Sequence, residues 1–443
     1  MIQQIIDLHI HSKYSRACSK SLELSEIAKA CAIRGVDIVA TGDFTHPKWF
    51  EHIKTSLVEE NEGVYKLKAP TPPTPSRAEG DSETRFIIGT ELSCIKKHKD
   101  KTRRIHVCVF APNIEVAEKF NNKLETMGFN LRSDGRPILG LTVKQLLEIM
   151  LETDERMIMI PAHAWTPWFG IFGSKGGYNS LEEAFEELTP KIFAIETGLS
   201  SDPPMNWRLS KLDKIALVSN SDAHSLEKIG REANVLEFVD EKAITYENIF
   251  NVIKESCHVK SASSADHVAG KLLYTIEFFP EEGKYHYDGH ANCKFVCAPE
   301  ESRKLKNICP KCKKELVIGV MNRVTELADR TEEEAKKIKH VPFKSLVPLP
   351  EIIADCFNCG VSTKRVKEVY NKLIKKLGNE FNILLNIDTQ EIAFTSEPII
   401  GEAVERVRTG KIYVRPGYDG EFGVVKVFSD EERVGKKQIG LEL

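Results

Sequence analysis

Asp7-Leu8-His9-Ile10-His11 stands near the N-terminus, at the end of an apolar run that reads as a strand over Ile5–Ile10. In an extended chain residues i and i+2 share a face, so His9 and His11 project together and can chelate one ion. Further strand signals fall at Val36–Thr41, Arg85–Ile88, Ile105–Phe110, Met157–Ala162, Ile192–Glu196 and Ile215–Ser219. Most follow helical text, such as Leu24–Arg34, which Gly35 stops. Repeated βα alternation predicts an α/β fold with a parallel sheet, open or closed into a barrel. The C-terminal ends of barrel strands converge on one face. Asp43 and His46 (TGDFTH), Glu91 (GTELS), His106 (RIHVCVF), His163 (PAHAW), and Asp222 with His224 (SNSDAH) stand at such ends. They would meet His9 and His11 across more than two hundred residues of chain. Imidazole and carboxylate together suit Zn, Mn or Fe. A lone strand-end His is ordinarily a hydrogen-bonded core or surface residue. The pairing of His-x-His on a first strand with Asp-x-His on a last strand lifts this set above that reading. His52, His98, His258, His267 and His340 lack such placement and read as ordinary residues.

The 443 residues carry 62 Lys and Arg against 65 Asp and Glu, a formal charge of −3, with 41% hydrophobic residues. That composition excludes a disordered chain and a uniformly basic nucleic-acid binder, though not local basic patches. No uninterrupted apolar run approaches the roughly 20 residues of a membrane helix, and MIQQIIDLHIHS is no secretory signal. The expectation is a soluble, cytoplasmic protein without membrane contact. Ala69–Ser82 (APTPPTPSRAEGDS) reads as a surface loop or disordered insertion.

Eleven cysteines are an odd number and mostly scattered, a poor disulfide framework. The exception is a cluster in which His290-x2-Cys293 precedes Cys309-x2-Cys312. Two x2 knuckles match one structural zinc, and a segment this short needs a metal to be stable. Cys297 competes with His290 for the fourth position; the repeated x2 spacing favours His290. Cys356-x2-Cys359 has no second pair nearby and reads as packing thiols. Domains are expected at 1–270, 271–322 (zinc-binding) and 323–443 (helical), with helices over Thr331–Lys339 and Ser362–Lys376.

Lys364, Arg365, Lys367, Lys372, Lys375 and Lys376 share one of these helices, and five lysines surround the second knuckle. Such local basic patches suit a phosphate backbone. The loop after His163 gathers Trp165, Trp168, Phe169, Phe172 and Tyr178, which could stack on a displaced base or pack as a lid. Arg208 could add a phosphate contact.

DLHIHS, TGDFTH, GTELS, PAHAW and SNSDAHS resemble the motifs of the PHP (polymerase and histidinol phosphatase) family over about residues 1–270. The resemblance implies a distorted (β/α)7 barrel that hydrolyses phosphoesters with two to three catalytic metal ions, Zn2+ alone or with Mg2+ or Mn2+. His9, His11, Glu91 and Asp222 would hold the first ion. Glu91 would bridge to a second, also held by His106 and His163. His224 would hold a third with Asp43 or His46. Asp222 and Glu91 would be the decisive carboxylates for catalysis. The sequence departs from the commoner pattern at Thr41-Gly42-Asp43-Phe44 and near Cys18, and both departures concern the third ion.

With YHYDGH…CPKC, NRVTELADR and the PGYDGEFG turn at Pro416–Gly423 added, the order of motifs resembles the endonuclease Q family over essentially the whole length. That implies a DNA repair endonuclease acting on damaged double- or single-stranded DNA. It would cut 5′ to deaminated bases (hypoxanthine, uracil) and abasic sites. The alternative is a small-molecule phosphoesterase of the histidinol phosphatase type, for which a basic zinc ribbon has no use. Gln438 and Leu441, near the C-terminus, weakly match a sliding-clamp peptide.

Overall fold

The computed structural model describes residues 1–68, 83–99, 101–257, 269–429 and 432. Ala69–Ser82, His258, His267 and the clamp-like Lys437–Leu441 lie outside the described residues.

Strand β1 (Ile2–Asp7) runs parallel to β2 (Ile38–Ala40), with Ile6 opposite Ile38, and β2 runs parallel to β3 (Arg85–Ile87). The helix Leu24–Arg34 makes the first crossover, burying Leu24, Ile27, Ala28 and Cys31 at helical spacing. Gly35 ends it at φ 94, a left-handed position that glycine takes without strain. The next two strands depart from βα alternation. β4 (Gly89–His98) and β5 (Lys101–Phe110) pair antiparallel, Glu91 opposite Cys108. Only two residues separate them, too few for the crossover a parallel pair needs. β6 (Ile158–Pro161) pairs antiparallel with β5. β7 (Ala194–Glu196) and β8 (Ala216–Val218) restore parallel pairing. A bridge between Ile10 and Ala223 brings the chain after β8 back beside the end of β1. The result is the expected distorted α/β barrel, with a helical region after it.

The sheet does not stop at residue 270, where the first domain was expected to end. β9 (Ala233–Phe238) lies antiparallel to β1 and would leave an open edge. β10 (Gly270–Glu277) covers that edge, and Phe343–Ser345 then pairs in parallel with β10. The C-terminal region thus returns a strand to the barrel sheet. Its helices are Leu349–Phe357, Lys364–Leu377, Glu380–Leu385, Thr389–Thr395 and Pro398–Arg408. Their apolar sides, among them Ile352, Leu373, Phe381 and Val404, are buried in the core shared with the barrel. Arg34, at the end of the first helix, forms a buried ion pair with Glu380 and donates to the carbonyl of Ile229 at 3.0 Å.

Candidate active site

His9 and His11 follow β1 with one residue between them, and their ring centroids lie 5.5 Å apart. Glu91 on β4 and Asp222 after β8 complete a group whose ligand atoms all lie within 4.8 Å of one another. His11 Nε2 is 3.0 Å from Asp222 Oδ1 and 3.2 Å from Glu91 Oε2. A second group, within the same limit, consists of Glu91, His106 and His163. Glu91 and His106 sit diagonally across the β4–β5 hairpin and so share a face. The two groups therefore have Glu91 in common. His163 and Asp222 adopt φ of 29° and 46°, unusual for non-glycine residues and frequent at functional sites.

The donor set fits metal ions. His9 Nε2 and His163 Nδ1 are buried and lack a hydrogen-bond partner, and His106 Nδ1 faces Glu91 Oε1 at 2.7 Å. Burial pushes the His106 imidazole down to about 4 against the pull of Glu91, which keeps it in the neutral, ligating form. Burial raises the Glu91 carboxyl, but His106, Arg136 and His9 outweigh it and hold the group well below the ordinary range. Burial likewise opposes ionisation of Asp222, and His9 and His11 overcome it.

The outer residues fall differently. His224 lies beside His11, ring centroids 4.6 Å apart, with its side chain partly exposed at the mouth. Asp43 and His46, expected to join it around a third ion, belong to no candidate ligand group among the described residues. Asp43 accepts from Ser12 N at 2.7 Å, Ser12 Oγ at 2.6 Å and Ser15 Oγ at 2.9 Å, and it contacts His11 Nδ1 at 3.0 Å. Three of those contacts crowd Oδ2, and Oδ1 carries the contact to His11. Gly135 closes the same spot, since a Cβ there would lie 2.3 Å from Asp43 Oδ2. The His46 ring stacks on Tyr14 at 4.3 Å.

Sequence reading missed two charged partners. Arg136, partly exposed, reaches Glu91 Oε2 at 2.8 Å from the loop before the helix Val143–Thr153. Glu196 ends β7 fully buried beneath the rings. A charged residue closing an otherwise apolar strand signal was the available clue to Glu196. Nothing in the local text marked Arg136.

In the Cys-rich unit, His290, Cys293, Cys309 and Cys312 bring their ligand atoms within 4.8 Å of one another, and Cys297 is not in the group. His290 ends the short strand Asp288–His290, which pairs antiparallel with Phe295–Cys297. That pairing sets Cys297 opposite Asp288 at the far end of the two strands from His290.

The aromatic loop divides. Trp165 and Tyr178 are each 1% exposed, so neither can stack on a ligand as expected. Trp165 packs on Phe172 and donates to Asn206 Oδ1 at 2.7 Å. The Arg103 guanidinium lies over the Tyr178 ring at 4.1 Å. Phe169 stacks on His106 at 4.2 Å. Trp168 is 39% exposed and meets Tyr285 edge-on at 5.4 Å. Arg208 is half-buried and turned to Thr325, and its carbonyl accepts from Asp329 and Arg330, so it joins two segments of the chain. Lys364 and Arg365 are exposed, paired with Glu368 and Glu397.

Fold and site together define an α/β barrel with clustered imidazole and carboxylate ligands at one mouth, followed by a Cys/His knuckle and a helical region. Solved structures of that build exist, and the chain is similar to endonuclease Q along its length. It is 29% identical to the lesion-specific endonuclease PfuEndoQ of Pyrococcus furiosus, with a TM-score of 0.79 over 96% of this chain and 95% of that one. It matches endonuclease Q in complex with a 27-mer duplex carrying an abasic lesion at 29% identity and a TM-score of 0.78, over 97% and 98% of the two chains. Residues 348–411 match the family described as the MJ0043 C-terminal domain. An uncharacterized protein, MJ0043, of Methanocaldococcus jannaschii is 31% identical over 59% of this chain, and the match spans 31% of that protein's length.

Proposed function

We propose that this protein is a metal-dependent endodeoxyribonuclease of DNA repair. It would cut the phosphodiester 5′ to abasic sites and to deaminated bases. Two sets of candidate ligands that share Glu91 at one barrel mouth carry this reading. The match to endonuclease Q, including a complex with an abasic duplex, supports DNA as the substrate.

His9, His11, Glu91 and Asp222 would hold one ion, and Glu91, His106 and His163 a second. Bound there, ions activate water and neutralise phosphate oxygens. The protein's own part is positioning. Asp222 and His224 flank the mouth with partly exposed side chains. Arg136 places a positive charge beside Glu91, where a phosphate would enter. Trp168 offers an exposed ring next in sequence to Phe169, which stacks on His106, and a weakly stacked damaged nucleotide is cheap to extrude toward it. His290, Cys293, Cys309 and Cys312 would hold a structural zinc.

Purified protein incubated with duplexes containing inosine, uracil or an abasic site tests the reading. The expected product is a nick 5′ to the lesion. Asp222→Ala should abolish the nick while DNA binding survives. An Asp222→Ala variant that nicks as fast as the parent, or a parent that releases phosphate only from small esters, would overturn the proposal.

A further inference from the structure

Glu196 touches three strand ends at once. Its Oε1 and Oε2 lie 3.1 and 3.0 Å from His9 Nδ1. Oε2 accepts the backbone N–H of His163 at 2.7 Å. Oε1 accepts from Asn220 Nδ2 at 2.9 Å. Asn220 in turn accepts from the N–H of Leu8 at 2.8 Å and from Asn234 Nδ2 at 3.0 Å. The carboxylate is 0% exposed and lies behind His9, on the opposite side of the ring from Glu91 and Asp222.

An ionised carboxylate only accepts hydrogen bonds, so it places the proton of His9 on Nδ1. The Nε2 lone pair is then left for the mouth, where Glu91 Oε2 and Asp222 Oδ1 each stand 3.5 Å away. The same carboxylate anchors the N–H of His163, whose φ of 29° is strained for a side-chain-bearing residue. Glu196 thus acts on one member of each ligand set. Cys108 lies in reach of His9 and Glu196, but both Glu196 oxygens are already engaged by donors, so these three do not read as a further ion site.

We propose that Glu196 is a positioning residue that fixes the tautomer of His9 and the backbone of His163, and so makes both rings competent to bind metal. This rests on the reading of His9 and His163 as ligands. Such carboxylate–imidazole pairs raise metal affinity about 10–100-fold.

The test is Mn2+ titration followed by the EPR signal of the free ion, because the soft thiolate set leaves Mn2+ to imidazole and carboxylate. The proteins compared are the parent, Glu196→Ala, Glu196→Gln and His9→Ala. Glu196→Ala should bind Mn2+ about 10–100-fold more weakly. Glu196→Gln should fall between the two, since its amide oxygen still accepts from His9. If Glu196→Ala does not fold, Glu196→Gln decides alone. A second readout reports the ring itself: in the Zn2+-loaded protein the 15N shifts of His9 should show a protonated Nδ1 and an engaged Nε2 in the parent, and a mixture of engaged and free rings in Glu196→Gln. Parental Mn2+ affinity in the Glu196 variants, with weakened binding in His9→Ala, overturns the positioning role and spares the metal reading. Parental affinity in His9→Ala overturns both.

Discussion

Glu91 Oε1 lies 2.7 Å from His106 Nδ1 across the β4–β5 hairpin. The hairpin matters because it sets the carboxylate common to both groups and one imidazole on adjacent strands and the same face, where side-chain spacing is fixed by the pleat rather than by loops. The other Glu91 oxygen, Oε2, is held by Arg136 at 2.8 Å. Glu91→Gln keeps the volume and removes the charge on which both ligand groups converge. Cleavage should fall by roughly 10³-fold or more, because several kcal/mol of charge stabilisation disappear. Elemental analysis should find only the zinc of the Cys/His knuckle. A variant that keeps its full metal content would show that the two groups do not share this residue.

Trp165 and Trp168 separate packing from contact within one loop. Trp165→Ala should cost about 3–5 kcal/mol, as for other buried aromatic truncations, and strands the Asn206 amide. Trp168→Ala should leave thermal stability within about 0.5 kcal/mol and weaken lesion-duplex binding by about 1–3 kcal/mol, the worth of one stacked base. Unfolding curves and fluorescence anisotropy read the two effects. Equal losses of stability in both variants would remove Trp168 from the DNA-facing surface.

The sequence made the inner cluster legible because strand periodicity puts His9 and His11 on one face, and because a barrel gathers strand ends. It could not show which partners Asp43 would take up. That outcome depends on Ser12 and Ser15 donating to it and on Gly135 approaching from a distant loop. Trp165 and Tyr178 looked the same as Trp168 in the text, since exposure is decided by what packs against each ring. Glu196 was hidden for a related reason. A charged strand end reads as a boundary until its partners are known, and here they come from residues 9, 163 and 220.

The knuckle predicts a contrast between two cysteines. Cys312 Sγ lies 3.6 Å from His290 Nδ1, whereas Cys297 is buried outside the group. Cys312→Ser should lose zinc, and its 284–320 segment should become cleavable by protease, because the apolar cluster there is too small to persist without metal. Cys297→Ser should keep the zinc content of the parent. Loss of zinc from Cys297→Ser would give the fourth position to Cys297 in place of His290.

Glu277 sets a pH dependence of stability away from the mouth. Its carboxyl is fully buried at the end of β10, accepting from Thr275 Oγ1 at 2.5 Å and from Thr197 Oγ1 at 2.9 Å. Burial pushes it up to about 7, hydrogen bonds from the threonines pull the other way, and Asp202 nearby adds to the rise. Glu232, also buried and raised, faces the same pocket. An acid whose folded-state pKa exceeds its unfolded value binds more protons in the folded state between the two. Its effect on stability is therefore most favourable below the unfolded value near 4.5 and declines as pH rises to about 7, after which the penalty is constant. Glu277→Gln abolishes the charged form. It should raise the unfolding temperature by about 2–5 °C at pH 8 and change it little at pH 5. Thermal melts across pH 4.5–8 measure this directly. A melt difference that is flat with pH, or larger at pH 5 than at pH 8, would show that Glu277 is ionised in the folded protein throughout.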